Sequence, residues 1–371
     1  MAKIMIVAGL GSSLLRFRGE LIESWKDLGY DVIAAAPGEE VRERLDDMGV
    51  KYYKIRLKRS GMNPLSDLVL LSGLISLMLK EKPDYLFLYT VKPVIYGSLA
   101  AYFLKKTEVF SLITGLGYVF SNVTGAKILL KKLVIGLYKL ALVRNKKVFF
   151  QNRDNSQVLL EAGVVRPGQV AHVNGSGVNL DFYYHAPLPK NKSTFLLIGR
   201  LLKEKGFVDY VNAARAVKEK YPQAIFKMIT WSLADDPSSI NEEEFAGWKK
   251  EGIVEILGET GDVRPYIASA GVYVLPSYYG EGLPRTILEA MAMGRPIITT
   301  DTPGCRETVV EDVNGIIVPA KDSAALAQAM ERFIVEPDLT GKMGRESRRI
   351  AEEKYDVHKV NEVINRKMGL V

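Results

Sequence analysis

Residues 278–303 read YYGEGLPRTILEAMAMGRPIITTDTP, which predicts a loop, a short helix and a buried strand in succession. Two glycines flank Glu281 in the loop, where a backbone without side chains can approach a ligand closely. Pro284 suits the first turn of a helix, because its missing N–H has no helical partner there. Apolar residues follow at helical spacing, and Gly294 and Pro296 end the helix before the strand IITT. The stretch is typical of an α/β protein.

Two carboxylates of this stretch are expected to face one ligand, because Glu281 lies in the loop and Glu289 inside the helix that follows. A helix N-terminus favours anions, since its N–H groups are unpaired and its dipole is positive there. Backbone amides that can bind a diphosphate, together with carboxylates that can bind hydroxyl groups, suit a nucleotide sugar as the ligand. The alternative is that Glu281 is a solvated loop residue and Glu289 a first-turn glutamate stabilised by the dipole.

The same stretch resembles the E-x7-E signature of retaining glycosyltransferases of family 4, which have the GT-B fold. The match extends beyond the two glutamates to Pro276, Ser277, Pro303, Gly304 and Glu307. The family also carries an arginine and a lysine early in its C-terminal domain. Residues 198–207, IGRLLKEKGF, supply Arg200 and Lys205 at that place.

The resemblance implies an α/β architecture of two Rossmann-like domains, each a doubly wound parallel sheet, that face a cleft. Alternating strand and helix patterns along the chain favour the same class. We expect an N-terminal, acceptor- and membrane-facing domain over residues 1–187, and a C-terminal, nucleotide-sugar-binding domain over residues 188–354. Residues 355–371 are expected to form a helix that crosses back to the first domain.

By the same resemblance, Arg200 and Lys205 stabilise a departing uridine diphosphate as its negative charge grows. Glu281 contacts the hydroxyls of the transferred sugar, and Glu289 holds the donor ribose. The other donor-binding candidates in this half are Gly199, Gly282 and Leu283. The basic pair takes the place of a metal ion, so neither a metal nor a cofactor is expected, and the acidic pair Asp235-Asp236 is interpreted as solvated.

The first residues predict a βαβ opening, with strand KIMIVAG followed by a glycine turn at residues 9–13. The turn is similar to the dinucleotide-binding G-x-G-x-x-G pattern, but Leu14 stands where the third glycine belongs. No acidic residue ends the second strand either, which argues against a nicotinamide cofactor. In the GT-B resemblance this turn approaches the donor phosphates, with Gly11 and Ser12 as candidates and Arg18 as a weaker one.

Two further loops, residues 90–97 and 114–118, follow predicted strands at the edge where open α/β sheets bind ligands. Both are similar to a subgroup of family 4 that elongates lipid-linked saccharides of bacterial glycans. The acceptor candidates are Lys92, Thr114, Gly115 and Tyr118. Thr114 stands where many members have a histidine, so no catalytic histidine is assigned. Lys92 suits an acceptor phosphate, and the alternative is an exposed loop lysine.

A long acid-free run, residues 109–153, contains a helical pattern that is apolar apart from one basic stripe. The stripe consists of Lys127, Lys131, Lys132 and Lys139, within an arc of ~140°. Such a helix suits an anionic membrane surface. The alternative is an inter-strand helix with a solvated basic face. No helix-turn-helix, zinc or RNP-type signature accompanies the charge, so nucleic acid is not expected.

The resemblance implies a cytoplasmic protein, peripheral on the inner face of the cell membrane, and the composition predicts a soluble or peripheral protein. The 371 residues suffice for two domains, and the single cysteine, Cys305, excludes an internal disulfide framework. No signal peptide is recognisable, and the apolar run at residues 68–79 is shorter than the ~20 residues that span a bilayer.

The reaction that the resemblance implies is transfer of a sugar, expected to be N-acetylgalactosamine, from a UDP-sugar to a polyprenyl-diphosphate-linked saccharide. Thr230 and Trp231 depart from the glycine-containing loop that the family has after this strand. Two alternatives stay open: a UDP-sugar 2-epimerase on the same fold, and a non-catalytic module that binds a nucleotide sugar or a membrane.

Overall fold

The computed structural model describes residues 1–58, 63–116, 120, 126–231 and 238–371, which fall into two compact units. Unit 1 comprises Met1–Gly177 together with Val357–Val371, and unit 2 comprises Val178–Asp356. Each unit is built on its own parallel sheet, with helices between successive strands. The predicted α/β class with two doubly wound parallel sheets is therefore confirmed.

The described part of unit 1 contains a seven-stranded sheet in the order β3-β2-β1-β4-β5-β6-β7, and every strand pair is parallel. Its strands are β1 (Lys3–Val7), β2 (Asp31–Ala36), β3 (Lys51–Lys54), β4 (Tyr85–Tyr89), β5 (Glu108–Ile113), β6 (Asn145–Phe150) and β7 (Val170–His172). Its helices include α1 (Ser12–Asp27), α2 (Arg42–Asp47), α3 (Pro64–Glu81), α4 (Ser98–Ala100), α5 (Ala126–Leu142) and α6 (Arg153–Glu161). Central strands are buried on both faces, which explains their continuous apolar runs.

The described part of unit 2 contains a six-stranded parallel sheet in the order β10-β9-β8-β11-β12-β13. Its strands are β8 (Thr194–Arg200), β9 (Ile225–Trp231), β10 (Glu255–Leu257), β11 (Val272–Leu275), β12 (Ile297–Thr300) and β13 (Gly315–Val318). Its helices include α7 (Phe207–Lys220), α8 (Glu242–Glu251), α9 (Arg264–Ala268), α10 (Arg285–Ala292), α11 (Ser323–Val335) and α12 (Pro337–Ile350).

The last helix, α13 (Val357–Met368), belongs to unit 1 although unit 2 precedes it in the chain. Its buried face contributes Val360, Ile364 and Met368 to the same apolar cluster as Trp25 of α1. The Trp25 indole N–H donates to Asn365 Oδ1 at 2.8 Å, which fixes the two helices in register. The predicted return of the chain to its first domain is thus present.

The chain passes from unit 1 to unit 2 between Gly177 and Val178, ahead of the domain boundary predicted between residues 187 and 188. Residues 178–187 belong to unit 2, and Arg295, whose side chain is fully buried, binds the backbone at the end of this segment. Its guanidinium donates to Ala186 O at 3.0 Å and to Pro187 O at 2.9 Å, and also to two carbonyls at the end of α9. Burial lowers the pKa of Arg295 to about 10, so the group stays charged at neutral pH.

Replacing Arg295 is expected to detach this segment. Arg295→Met leaves four carbonyls without their donor, and we expect the free energy of unfolding to fall by about 2–4 kcal/mol in urea titrations. The exposed Arg345 of α12 provides the control, and Arg345→Met should stay within about 0.5 kcal/mol of the parent. Equal stability of the two variants would contradict this role of Arg295.

Glu81, at the end of α3, should make unit 1 sensitive to acid. A hydrogen bond from Tyr53, followed by the ammonium groups of Lys51 and Lys3, lowers the pKa of this buried carboxyl to about 2 from an ordinary value of 4.5. Because the pKa of Glu81 is lower in the folded state than in the unfolded state, its ionisation stabilises the folded state above about pH 4.5. This stabilisation is lost as the pH falls toward 2. In urea titrations over this pH range, the free energy of unfolding of Glu81→Gln should depend less on pH than that of the parent. An unchanged slope would refute the stabilising role of the Glu81 carboxylate.

Candidate active site

The backbone segments around the candidate site approach each other so closely that two glycine positions have no room for a side chain. Gly206 has φ +78°, and a Cβ there would lie 2.2 Å from Pro276 O. Gly304 has φ +82°, and a Cβ there would lie 2.0 Å from Gly282 O. The segment after β8 and the segment after β12 therefore both press against the loop at residues 276–284. This loop connects β11 to α10, so three strand ends converge on it.

The structure brings three predicted residues together at this place. Lys205 forms an ion pair with Glu281 Oε1, and each of these side chains is only 13% exposed. The Tyr279 ring lies beside both cations, with its centroid 5.6 Å from Arg200 Cζ and 5.6 Å from Lys205 Nζ. Ser277 Oγ also donates to Glu281 Oε1, at 3.3 Å. The ion pair and the aromatic ring between the cations were not foreseen from the sequence.

Glu289 lies in the second turn of α10 and is 8% exposed, so it is not the first-turn glutamate of the alternative interpretation. Its Oε1 accepts a hydrogen bond from the Tyr183 hydroxyl at 2.9 Å and from Arg285 Nε at 3.2 Å. Burial, and next the Glu289 carboxylate, raise the pKa of Tyr183, so this phenol stays protonated as a donor. Sequence reasoning missed both partners. The spacing of Arg285 and Glu289, four residues apart on one helix, was the available signal.

The remaining donor candidates of unit 2 have different surroundings. Leu283 is 9% exposed and belongs to an apolar cluster, so only its backbone is available for a ligand. Gly199 is the residue before the end of β8, and a Cβ there would make ordinary contacts with Phe207 and Lys205 at 3.8–3.9 Å. Gly282 contributes the carbonyl that Gly304 approaches. These three positions shape the backbone of the site.

Cys305 lies beside this loop, with Sγ 4.0 Å from Ser277 O. Burial, and next the Glu281 carboxylate, raise the pKa of its thiol to about 11. At neutral pH the sulfur is protonated and inaccessible, which argues against a nucleophilic role for Cys305.

In unit 1, Gly11 is the N-cap of α1 and Ser12 its first residue, so the helix begins inside the turn predicted at residues 9–13. Ser13 N donates to Leu10 O at 3.2 Å and Leu14 N to Gly11 O at 2.9 Å, so the predicted glycine turn already closes as helix. Glu40 lies beside the turn, because a Cβ on Gly11 would come within 2.5 Å of Glu40 Oε1. Arg18 is buried, with its guanidinium 5.7 Å from the Tyr89 ring.

The acceptor candidates of unit 1 follow β4 and β5. Lys92 is 13% exposed and pairs with Asp67 Oδ1 at 2.8 Å, so it is not the exposed loop lysine of the alternative interpretation. The Tyr96 hydroxyl donates to Asp67 Oδ2 at 2.9 Å. Thr114 and Gly115 directly follow β5 and are partly exposed. Tyr118 lies outside the described residues.

Helix α5 carries the predicted basic stripe. Lys132 and Lys139 are exposed, and Lys131 is partly exposed with its Nζ 5.5 Å from the Phe120 ring. Lys127 belongs to the helix, but its side chain lies outside the described residues, as do Asp235 and Asp236. In the described ranges, no helix has both the length and the apolar character needed to cross a bilayer.

The two halves of the chain match two family models. Residues 3–152 match a model described as glycosyl transferase 4-like, and residues 192–336 match one described as glycosyl transferases group 1. Together the two matches cover most of the chain, and each falls largely within one structural unit.

Several known proteins are similar over most of their length. The chain is 26% identical to the N,N'-diacetylbacillosaminyl-diphospho-undecaprenol alpha-1,3-N-acetylgalactosaminyltransferase of Campylobacter jejuni, over 91% of this chain and 90% of that one. It is 24% identical to the UDP-Gal:alpha-D-GlcNAc-diphosphoundecaprenol alpha-1,3-galactosyltransferase of Escherichia coli, over 78% and 76%.

The crystal structure of HepE from Anabaena in complex with UDP superimposes with a TM-score of 0.77 at 17% identity, covering 100% of both chains. This similarity concerns the fold, and it agrees with the predicted GT-B architecture. The family models and the curated relatives carry the functional class. The chain is therefore a glycosyltransferase, a member of the group 1 and family 4-like glycosyltransferases with the GT-B fold.

Proposed function

We propose that this protein transfers a sugar from a UDP-sugar, with retention at the anomeric carbon, to a polyprenyl-diphosphate-linked glycan in the assembly of bacterial surface glycans or glycoproteins. N-acetylgalactosamine is the proposed sugar, supported by the activity in the name of the Campylobacter jejuni relative. Both named relatives act on diphospho-undecaprenol-linked substrates, and one name specifies a UDP-sugar donor. The observation that carries the proposal is the position of Arg200 and Lys205 beside one ring, with Glu281 paired to Lys205.

In the proposed reaction the bond between the anomeric carbon and the diphosphate oxygen breaks, and its electron pair leaves with UDP. The acceptor hydroxyl oxygen bonds to the same carbon, and its proton passes to the departing phosphate. Arg200 and Lys205 stabilise the charge that grows on the diphosphate, at a site where low exposure strengthens the attraction. The basic pair supplies positive charge without a metal ion, so metal independence stays part of the proposal.

Glu281 changes partner in this proposal. The diphosphate draws the Lys205 ammonium, and the Glu281 carboxylate then accepts hydrogen bonds from the sugar hydroxyls, next to the backbone of Gly282 and Leu283. Ser277 stays bonded to the same carboxylate and limits its rotation. Because the ion pair neutralises both groups before the donor arrives, neither charge is left buried and unpaired.

Glu289 is proposed to hold the donor ribose through its two hydroxyl groups. Tyr183 and Arg285 both bind Oε1 of this carboxylate, which fixes its orientation before the donor binds. Gly199 supports the same pocket through its backbone. Gly11, Ser12, Lys92, Thr114, Gly115 and Tyr118 stay predicted contacts to donor or acceptor.

A lipid-linked acceptor requires access to a membrane, and we propose that unit 1 provides it from the cytoplasmic side as a peripheral surface. Helices α3 and α5 pack on the same cluster of the core and leave apolar side chains exposed on their outer faces. These are Leu65, Leu68, Val69 and Leu79 of α3, and Ile128, Leu129, Leu133 and Leu140 of α5. The acidic residues of α3, Asp67 and Glu81, are buried in ion pairs, and α5 contains none. Exposed apolar and basic groups together suit an anionic bilayer surface.

Release of UDP tests the proposed reaction. With detergent-solubilised, polyprenyl-diphosphate-linked saccharide as acceptor, we expect release from UDP-N-acetylgalactosamine only when the acceptor is present. Glu281→Ala should lower kcat by about 10²–10³, because a contact to the reacting sugar is lost. Identification of the anomeric configuration of the product by NMR tests retention.

The other outcomes separate the alternatives. Release from a different UDP-sugar changes the assigned substrate and keeps the mechanism. Conversion of the donor to its 2-epimer without acceptor identifies an epimerase. Absence of acceptor-dependent release from every UDP-sugar, with membrane or UDP binding intact, identifies a non-catalytic module.

Cosedimentation with lipid vesicles tests the membrane surface. Lys132→Gln/Lys139→Gln should weaken binding to vesicles rich in phosphatidylglycerol by about 30-fold, at ~1 kcal/mol for each lysine. Lys250→Gln/Lys342→Gln is the matched control, because it removes the same charge from exposed positions of unit 2. Equal weakening by both pairs would show that net charge alone acts and would refute the assigned surface.

A further inference from the structure

Tyr279 has a position in the site that neither the sequence motif nor the family match explains. Its ring centroid is 5.6 Å from Arg200 Cζ and 5.6 Å from Lys205 Nζ, within the ~6 Å over which an aromatic face attracts a cation. Arg200 ends β8, whereas Lys205 ends the short helical turn at Lys203–Lys205. One ring therefore contacts the two cations from different elements.

The two cations differ in their other partners. Lys205 is paired with Glu281, whereas no carboxylate pairs with Arg200 in the described part of the chain. Two like charges beside each other repel, and the negative face of an aromatic ring offsets part of that repulsion without neutralising either charge. The ring thus holds Arg200 near Lys205 while leaving its guanidinium N–H groups available to an anion.

The backbone around the ring is fixed. Tyr279 N donates to Ser277 Oγ at 3.2 Å, and Tyr279 O accepts from Glu281 N at 2.7 Å. The preceding residue, Tyr278, donates its N–H to Glu204 O at 2.8 Å, and Glu204 lies in the same helical turn as Lys205. The backbone that carries the ring is therefore tied to the turn that carries Lys205.

We propose that Tyr279 is a positioning residue that holds Arg200 and Lys205 as one clamp for a diphosphate through its aromatic face. This inference rests on the proposed function, because it takes the diphosphate of a nucleotide as the ligand. The hydroxyl of Tyr279 has no part in the clamp, whereas the ring is required. Tyr279 acts through the two cations and does not itself contact the reacting atoms.

Calorimetric titration with UDP tests the clamp in the full-length protein. Tyr279→Leu, which keeps an apolar side chain and removes the ring, should weaken UDP binding about tenfold and lower kcat more than it changes KM. Tyr279→Phe keeps the ring and should restore UDP affinity to within about twofold of the parent. The matched control is Tyr278→Leu, because the Tyr278 ring lies 4.7 Å from Lys321 Nζ and not beside the clamp; its UDP affinity should not change.

A coupling measurement separates positioning from general packing. In a background carrying Arg200→Ala and Lys205→Ala, Tyr279→Leu should cause no further loss of UDP affinity, since the groups it positions are gone. The inference would be overturned if Tyr279→Leu and Tyr279→Phe weakened UDP binding equally. It would also be overturned if Tyr279→Leu weakened UDP binding as much in the Arg200→Ala/Lys205→Ala background as in the parent. UDP binding that follows the expected pattern without acceptor-dependent UDP release supports the clamp and refutes the proposed transfer. A parent protein that binds no UDP overturns the clamp.

Discussion

The close approach of backbone segments around residues 276–284 is the constraint on which the candidate site depends. Gly206 and Gly304 both adopt a positive φ, and each lies against a carbonyl where a Cβ has no room. Lys205 directly precedes Gly206, so the contact of Gly206 with Pro276 also sets how far the Lys205 ammonium lies from Glu281. A side chain at either glycine would separate the loops and, with them, the charged groups.

The charged groups of this site are largely buried, so the attraction between opposite charges is strong. For the same reason each charged group needs a partner. Glu281 and Lys205 satisfy each other, and Glu289 is held by Tyr183 and Arg285. Such buried pairs cost desolvation energy and give little net stability, whereas loss of one partner would leave a buried charge unpaired. Cys305 lies beside them as a neutral thiol because burial and Glu281 both oppose its ionisation.

Unit 1 presents a different electrostatic arrangement. Glu40 lies beside the Gly11 turn, and Asp67 already pairs with Lys92, so acidic groups accompany both positions predicted to meet phosphates. A ligand phosphate at either place has to compete with a carboxylate. The described surface of α3 and α5 is, in contrast, apolar and basic, because the two acidic residues of α3 are buried and α5 has none.

Short-range patterns in the sequence determined much of the fold. The strand Ile297–Thr300 has the predicted bounds, and the helix Val357–Met368 lies within the range predicted for it, because apolar periodicity and flanking breakers act within a few residues. The start of α1 was misplaced, because a glycine turn and a first helical turn have the same local signature there. The E-x7-E spacing and the pair Arg200 and Lys205 were likewise readable without the structure.

Only the tertiary structure decided which groups are partners. Glu281 is 76 residues from Lys205, and Glu289 is 106 residues from Tyr183, so no local pattern joins them. The same holds for Arg295, which binds carbonyls of a segment that precedes it by more than 100 residues. Local propensities choose helices, strands and turns, whereas the contacts between distant side chains depend on how the finished elements pack.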